Sequence, residues 1–275
     1  MHPVLFNFGG FPIYTYGVLV AAGVLLGLWY ARKQALRAGL DPDRVWNLGI
    51  YVVLTALVMA KVWLVVIDWH YYALHPREIF SIELLQSGGT FFGGVLGAIA
   101  LVVIYTLVTK TSLVALLDCY AAGLPLGHAI GRLGCFMAGC CYGKPTTLPW
   151  GVTFTNPIPA RLVGTPMGIP LHPTQLYESF AEFCNFAILV WIGKRQSFRG
   201  EILATYLLLY GVERGAIEFV RGDPDRTLMF HGALSIMQVV AVGFVLTGSF
   251  LWWRGMHQQA PGSQSISKRV APRSA

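Results

Sequence analysis

The sequence predicts an all-α membrane protein of seven transmembrane helices, with the N-terminus outside and the C-terminus in the cytoplasm. Three observations carry that prediction. Of 275 residues, 55% are hydrophobic and only 12% charged, whereas soluble domains carry about 25% charged residues. Seven stretches approach the roughly 20 apolar residues that a helix needs to cross the hydrocarbon core. The basic residues between those stretches fall unequally on alternate sides.

The first stretch, Ile13 to Tyr30, follows the aromatic FPIYTYG and has no positively charged leader or small-residue cleavage site before it, so it is expected to be retained as a span. The second, Trp46 to Ile67, is apolar apart from Lys61, whose charge either snorkels, packs or serves a site. The third, Gly89 to Val108, opens on the glycine-rich SGGTFFGGVLG, a backbone able to bend near a ligand or another helix. Only Thr109 to Ser112 separates it from the fourth, Leu113 to Ile130, a turn length suited to an antiparallel pair. The fifth, Thr174 to Gly193, starts after LHP, with Pro173 in its first turn. The sixth and seventh run from Glu201 to Val220 and from Gly232 to Trp253.

Orientation follows from lysine and arginine. One side collects Arg32, Lys33, Arg37, Arg44, Lys110, Lys194, Arg195, Arg199, Arg254, Lys268, Arg269 and Arg273; the other has Arg77, Arg132, Lys144, Arg161, Arg221 and Arg226. Twelve against six places the first side in the cytoplasm. The net charge of +7 is thereby a topology signal, and bases scattered over short connections argue against nucleic acid as a partner. The expected organisation is one polytopic membrane domain over 1–253, an external loop at about 131–173 whose Gly, Pro and Thr content suggests turns and a short hairpin, and a disordered cytoplasmic tail over 254–275.

Charged residues inside spans mark function, because each costs at least about 2.5 kcal/mol at mid-bilayer unless it meets water or a partner. In LLLYGVERGAIEFVRGD, Arg214, Glu218 and Arg221 recur at i, i+4 and i+7 and share one helix face. They form either a self-neutralising pair or an anion site. Arg132 stands in GRLGCFMAGCCYG between Gly131 and Gly134, residues that admit a close backbone or ligand. A guanidinium forks against phosphate, and two of them inside a membrane point to a lipid phosphate. In LHPTQLYESF, His172, Gln175 and Glu178 recur every three residues near the outer surface, as a bracing network or as acid-base machinery.

Five cysteines form no disulfide framework, and Cys119 and Cys184 sit in apolar runs. His128, Cys135, Cys140 and Cys141 read as H-x6-C-x4-C-C, which lacks the paired C-x2-C of a structural zinc site. Small residues packed around a site account for them best, and neither a metal nor a cofactor is expected.

Together these blocks resemble the prolipoprotein diacylglyceryl transferase family from Tyr16 to about Gln238. GRLGCFMAGCCYGKPTTLPWGVTF is similar to the family signature G-R-x-G-N-F-x-N-G-E-x-x-G followed by P-T-x-x-P-W-G-V-x-F; HPTQLYE is similar to H-P-S/T-Q-L-Y-E, and YGVERGAIEFVRGDPD to Y-G-x-x-R-F-x-x-E-x-x-R-x-x-D. The resemblance implies a multi-pass enzyme of the bacterial inner membrane that moves the diacylglyceryl group of phosphatidylglycerol onto the lipobox cysteine of a preprolipoprotein signal peptide, forming a thioether and releasing glycerol phosphate. It implies that Arg132 and Arg214 handle the headgroup, that Tyr16 is the essential tyrosine and Gly143 the signature glycine, and that Gln175, Glu178, Glu218 and Arg221 complete the substrate site.

Phe92 stands where the family has histidine, and Cys135, Ala138 and Cys140 replace two asparagines and a glutamate. With that histidine gone, His172 is the expected aid to thiol deprotonation, ahead of Tyr16 and His128. The competing reading is a lipid-binding or transport protein that keeps the headgroup site without the chemistry. A transporter would show repeated halves or matching broken helices, and the sequence has neither.

Overall fold

The structure, a computed structural model, describes residues 2–9, 11–81, 84, 89–223, 228–229 and 234–258. A hairpin of β1 (Val4–Phe8) and β2 (Phe11–Tyr14) precedes α1 (Thr15–Ala38) and α2 (Pro42–Ile67). The short α3 (Trp69–Leu74) and a 3-10 turn (Pro76–Phe80) lead to α4 (Phe91–Thr109) and α5 (Leu113–Ala138). Next come β3 (Val152–Thr153), the short α6 (Pro157–Val163) and β4 (Pro170–Leu171), then α7 (Thr174–Gly193) and α8 (Glu201–Glu218). β5 (Leu228–Met229), β6 (Leu234–Ser235) and α9 (Ile236–Gln258) complete the described order.

Each of the seven apolar stretches coincides with a long helix. Among the described residues, α1, α2, α4, α5 and α9 are long and apolar enough to cross a membrane. α7 and α8 fall short because they bury polar and charged side chains, Glu178 and Glu182 in the first and Glu201, Arg214 and Glu218 in the second. Two boundaries differ from expectation. α5 continues through Gly131 to Ala138 and ends at Gly139, whose φ of +75° lies in the left-handed region that glycine adopts at helix ends; the connection to α7 is correspondingly shorter. α9 runs past Arg254 to Gln258, and the rest of the expected tail, 259–275, lies outside the described residues, as does Arg226.

The chain divides into two compact units, Met1–Ala31 with Leu117–Ala275, and Arg32–Leu116. In the first, α1 and α5 meet through reciprocal glycines spaced four apart: a Cβ on Gly27 would stand 3.0 Å from the Gly123 carbonyl oxygen, and one on Gly127 2.9 Å from that of Gly23. Small residues let backbones close to contact where lipid offers no hydrophobic drive for association. α8 and α9 use the same device, Gly211 against the Ala241 carbonyl and Gly248 against that of Ala204. Tyr30, Ala121, Ala122, Leu189, Ile202 and Tyr206 form the core between these helices.

An acid inside α5 anchors the start of α8. The buried Asp118 carboxylate accepts from the Gly200 and Leu203 amides at 2.6 and 2.9 Å and from the Gln196 side chain at 2.8 Å. It thus supplies from another helix the cap that Gly200 cannot provide. In the second unit, Asp41 caps α2 through the amides of Asp43 and Arg44. Glycines 89, 93, 94 and 97 bring α4 onto Ala56, Met59 and Ala60 of α2. The Lys61 ammonium donates to the Leu84 carbonyl at 2.7 Å, so its charge is held by the chain's own backbone.

Candidate active site

α5, α7 and α8 each contribute charged side chains to one buried network. Glu178, in the second turn of α7, is 1% exposed. One of its oxygens is ion-paired with Arg132 of α5, and the other lies 3.4 Å from Nη1 of Arg214 on α8. Arg214 Nη2 in turn reaches Glu218, one turn along its own helix, at 3.0 Å. Arg214 and Glu218 thus do pair internally, and Glu178 of α7 extends the pair to Arg132 of α5. Two arginines and two glutamates balance in charge, which is how a low-dielectric interior tolerates them. Donor capacity remains, since a guanidinium has five N–H groups and Arg132 Nε has no acceptor among the described residues.

The other basic residue of that motif goes elsewhere. Arg221 lies beyond the end of α8 and forms a bidentate pair with Asp223, at 2.9 and 2.5 Å. Burial opposes its charge, but the pairing prevails and raises its pKa above the ordinary arginine value. Its backbone is bridged to Gly143, the Lys144 amide donates to the Val220 carbonyl at 2.8 Å, and the Gly143 amide donates to the His172 carbonyl at 2.9 Å. Gly143 is threaded between these chains so closely that a Cβ would collide with His172 and stand 2.8 Å from the Val220 oxygen. Its lack of a side chain is a packing requirement.

His172 precedes the first turn of α7, and its Nδ1 lies 3.3 Å from the Tyr177 hydroxyl, which also accepts from Trp150 Nε1 at 2.8 Å. Gln175 and Glu178 both turn inward on α7. Gln175 donates to the Cys140 carbonyl at 2.7 Å, and its buried Oε1 has no hydrogen-bond partner among the described residues. Tyr16, in the first turn of α1, lays its ring 3.3 Å from where a Cβ on Gly134 would stand, so Gly134 admits the tyrosine. Gly131 has open space around it, with no heavy atom of the described residues within 4 Å of where a Cβ would stand.

The profile of a family described as prolipoprotein diacylglyceryl transferase matches residues 3–254. The chain belongs to this family. It is 33% identical over 252 residues to the phosphatidylglycerol–prolipoprotein diacylglyceryl transferase of Clostridium tetani, covering 92% of this chain and 97% of that protein. The protein of the same name from Clostridioides difficile is 35% identical over 248 residues, 90% of this chain and 93% of the relative; that from Geobacillus kaustophilus is 35% identical over 251 residues, 90% of each.

Within this transferase, sequence reasoning missed a second polar chain beside the arginines. His128, one turn before Arg132 on α5, has its Nδ1 2.6 Å from the fully buried Glu182 carboxylate. Asn185 donates to Glu182 at 3.4 Å and to Glu213 at 2.7 Å. The signal was present: Gln175, Glu178, Glu182 and Asn185 recur at i, i+3, i+7 and i+10, a polar stripe on one face of α7. Cys135, Cys140 and Cys141, read from the sequence as small residues packed around a site, gather next to Arg132, whose Nη1 lies 3.7 Å from the Cys135 sulfur. Hydrogen bonds from Cys135 and Cys140, backed by the fields of Arg132 and Arg221, hold the Cys141 thiol below its ordinary pKa; bonds shared with Cys135 and Cys141 push Cys140 up.

Proposed function

We propose that this protein transfers the diacylglyceryl group of phosphatidylglycerol to the lipobox cysteine of preprolipoproteins, as a seven-span enzyme of the bacterial inner membrane with its N-terminus outside. The observation that carries this reading is the convergence of Arg132 and Arg214, from different helices, on one buried carboxylate. Glu178 and Glu218 orient the two guanidinium planes and leave donors for a phosphate. The peptide's thiolate attacks the glyceryl carbon that bears the phosphate ester, a C–S bond forms as the C–O bond breaks, and glycerol phosphate leaves with the negative charge that the arginines stabilise. In that role Arg132 and Arg214 are catalytic and substrate-binding residues. Tyr16 flanks the lipid, and Gly143, Gln175 and Arg221 shape the outer wall.

The thiol proton needs an acceptor, and Phe92 cannot take it. The geometry favours His128 over His172. Glu182 fixes the imidazole of His128 one helical turn from Arg132, leaving Nε2 to take the proton, an arrangement in which a carboxylate orients the base. His172 is engaged with Tyr177 and backs Gly143. The test is release of glycerol phosphate from phosphatidylglycerol by purified protein, with a lipobox peptide carrying cysteine or serine. Release that requires the cysteine supports transfer. Lipid bound without release would assign the protein to lipid binding instead.

A further inference from the structure

The spacing of Cys135, Cys140 and Cys141 argues against a metal, but the fold overrides the spacing. The sulfur atoms of the three residues lie within 4.8 Å of one another. α5 ends just after Cys135, and Gly139 at φ +75° and Cys141 at φ +59° turn the chain back over its last turn. A non-glycine residue in the left-handed region is uncommon and is kept where its surroundings over-determine it. Here three successive carbonyls of the turn are held from outside: Gly139 accepts from Thr165 at 2.9 Å, Cys140 from Gln175 at 2.7 Å and Cys141 from Thr174 at 2.6 Å.

We infer that Cys135, Cys140 and Cys141 form a three-thiolate site for a thiophilic d10 cation such as zinc(II) or copper(I). Zinc–sulfur bonds are about 2.3 Å long, so three sulfurs around one ion stand about 4 Å apart, a contraction of less than about 1 Å from the spacing seen. Soft sulfur donors select such ions over magnesium or calcium. A three-thiolate complex of either ion is anionic, and the Arg132 N–H aimed at Cys135 sulfur is the outer hydrogen bond that such a site needs. Convergence of all three thiols favours a cation over a disulfide, which would leave one of them out. The ion would sit against Arg132 and hold that guanidinium in place.

Titration of reduced, detergent-purified full-length protein with cadmium(II) tests this. The expected result is a thiolate-to-cadmium charge-transfer band that saturates at one equivalent, disappears in Cys135→Ser, Cys140→Ser and Cys141→Ser, and persists in Cys184→Ser. Alkylation footprinting of the wild type covers variants that fail to fold: cadmium should protect these three cysteines and leave the exposed Cys184 reactive. Absence of the band, its survival in any of the three variants, failure of protection, or a disulfide among the three in anaerobically purified protein would each overturn the assignment.

Discussion

Glu178 joins Arg132 to Arg214: the two guanidinium groups sit on different helices and share one carboxylate that is 1% exposed. Removing the negative charge leaves two buried cations facing each other. Breaking a buried ion pair from one side costs about 3–5 kcal/mol. Glu178→Gln should therefore lower the thermal midpoint in detergent well below that of Glu182→Gln, whose neighbours His128 and Asn185 are not fixed cations. Equal midpoints for the two variants would contradict a structural role for the bridge.

Gly143→Ala and Gly131→Ala form a matched pair. A methyl group at Gly143 meets the Cβ and carbonyl of His172 and the carbonyl of Val220, whereas at Gly131 it meets open space. Overpacking of this kind costs about 1–3 kcal/mol, and alanine stabilises an open helical position by about 1 kcal/mol relative to glycine. The expected outcome is a drop in the denaturation midpoint and in transfer rate for Gly143→Ala, and an unchanged or higher midpoint for Gly131→Ala.

Asp118→Ala deprives the start of α8 of acceptors for two amides and a glutamine side chain. Each buried donor left unmade costs about 1–3 kcal/mol. Thermal unfolding should shift down by an amount equivalent to at least about 2 kcal/mol, with transfer preserved at low temperature because the site's own side chains are untouched.

The two histidines separate by the initial rate of glycerol phosphate release. His128→Ala should slow transfer by about 10²–10⁴-fold, the usual worth of a positioned base. His172→Ala should slow it far less. The reverse result would return the base to His172.

All seven long helices were legible in the sequence because apolar length is a property of composition, and Arg132, Arg214 and Glu218 stood out because charge is scarce in such stretches. What stayed hidden was pairing between helices. Nothing local to Glu178 says that it serves two arginines, and nothing local to Asp118 says that it caps a helix 82 residues away. The gathering of the cysteines was hidden for a related reason: spacing alone does not show that the left-handed Gly139 and Cys141 turn the chain and bring Cys135, Cys140 and Cys141 together. Gly131 and Arg132 look in the sequence like an exit from the membrane, although α5 carries both and ends only at Ala138.

The proposed role of Arg132 and Arg214 is to stabilise a departing phosphate during transfer to a thiol. Its most direct test is the intact mass of a lipobox peptide after incubation with phosphatidylglycerol and purified protein, wild type beside Arg132→Ala and Arg214→Ala of verified fold. A diacylglyceryl mass gain on cysteine is expected with the wild type, and a rate lower by about 10²–10³-fold with either variant. No mass gain with the wild type, or wild-type rates in both variants, would contradict the account.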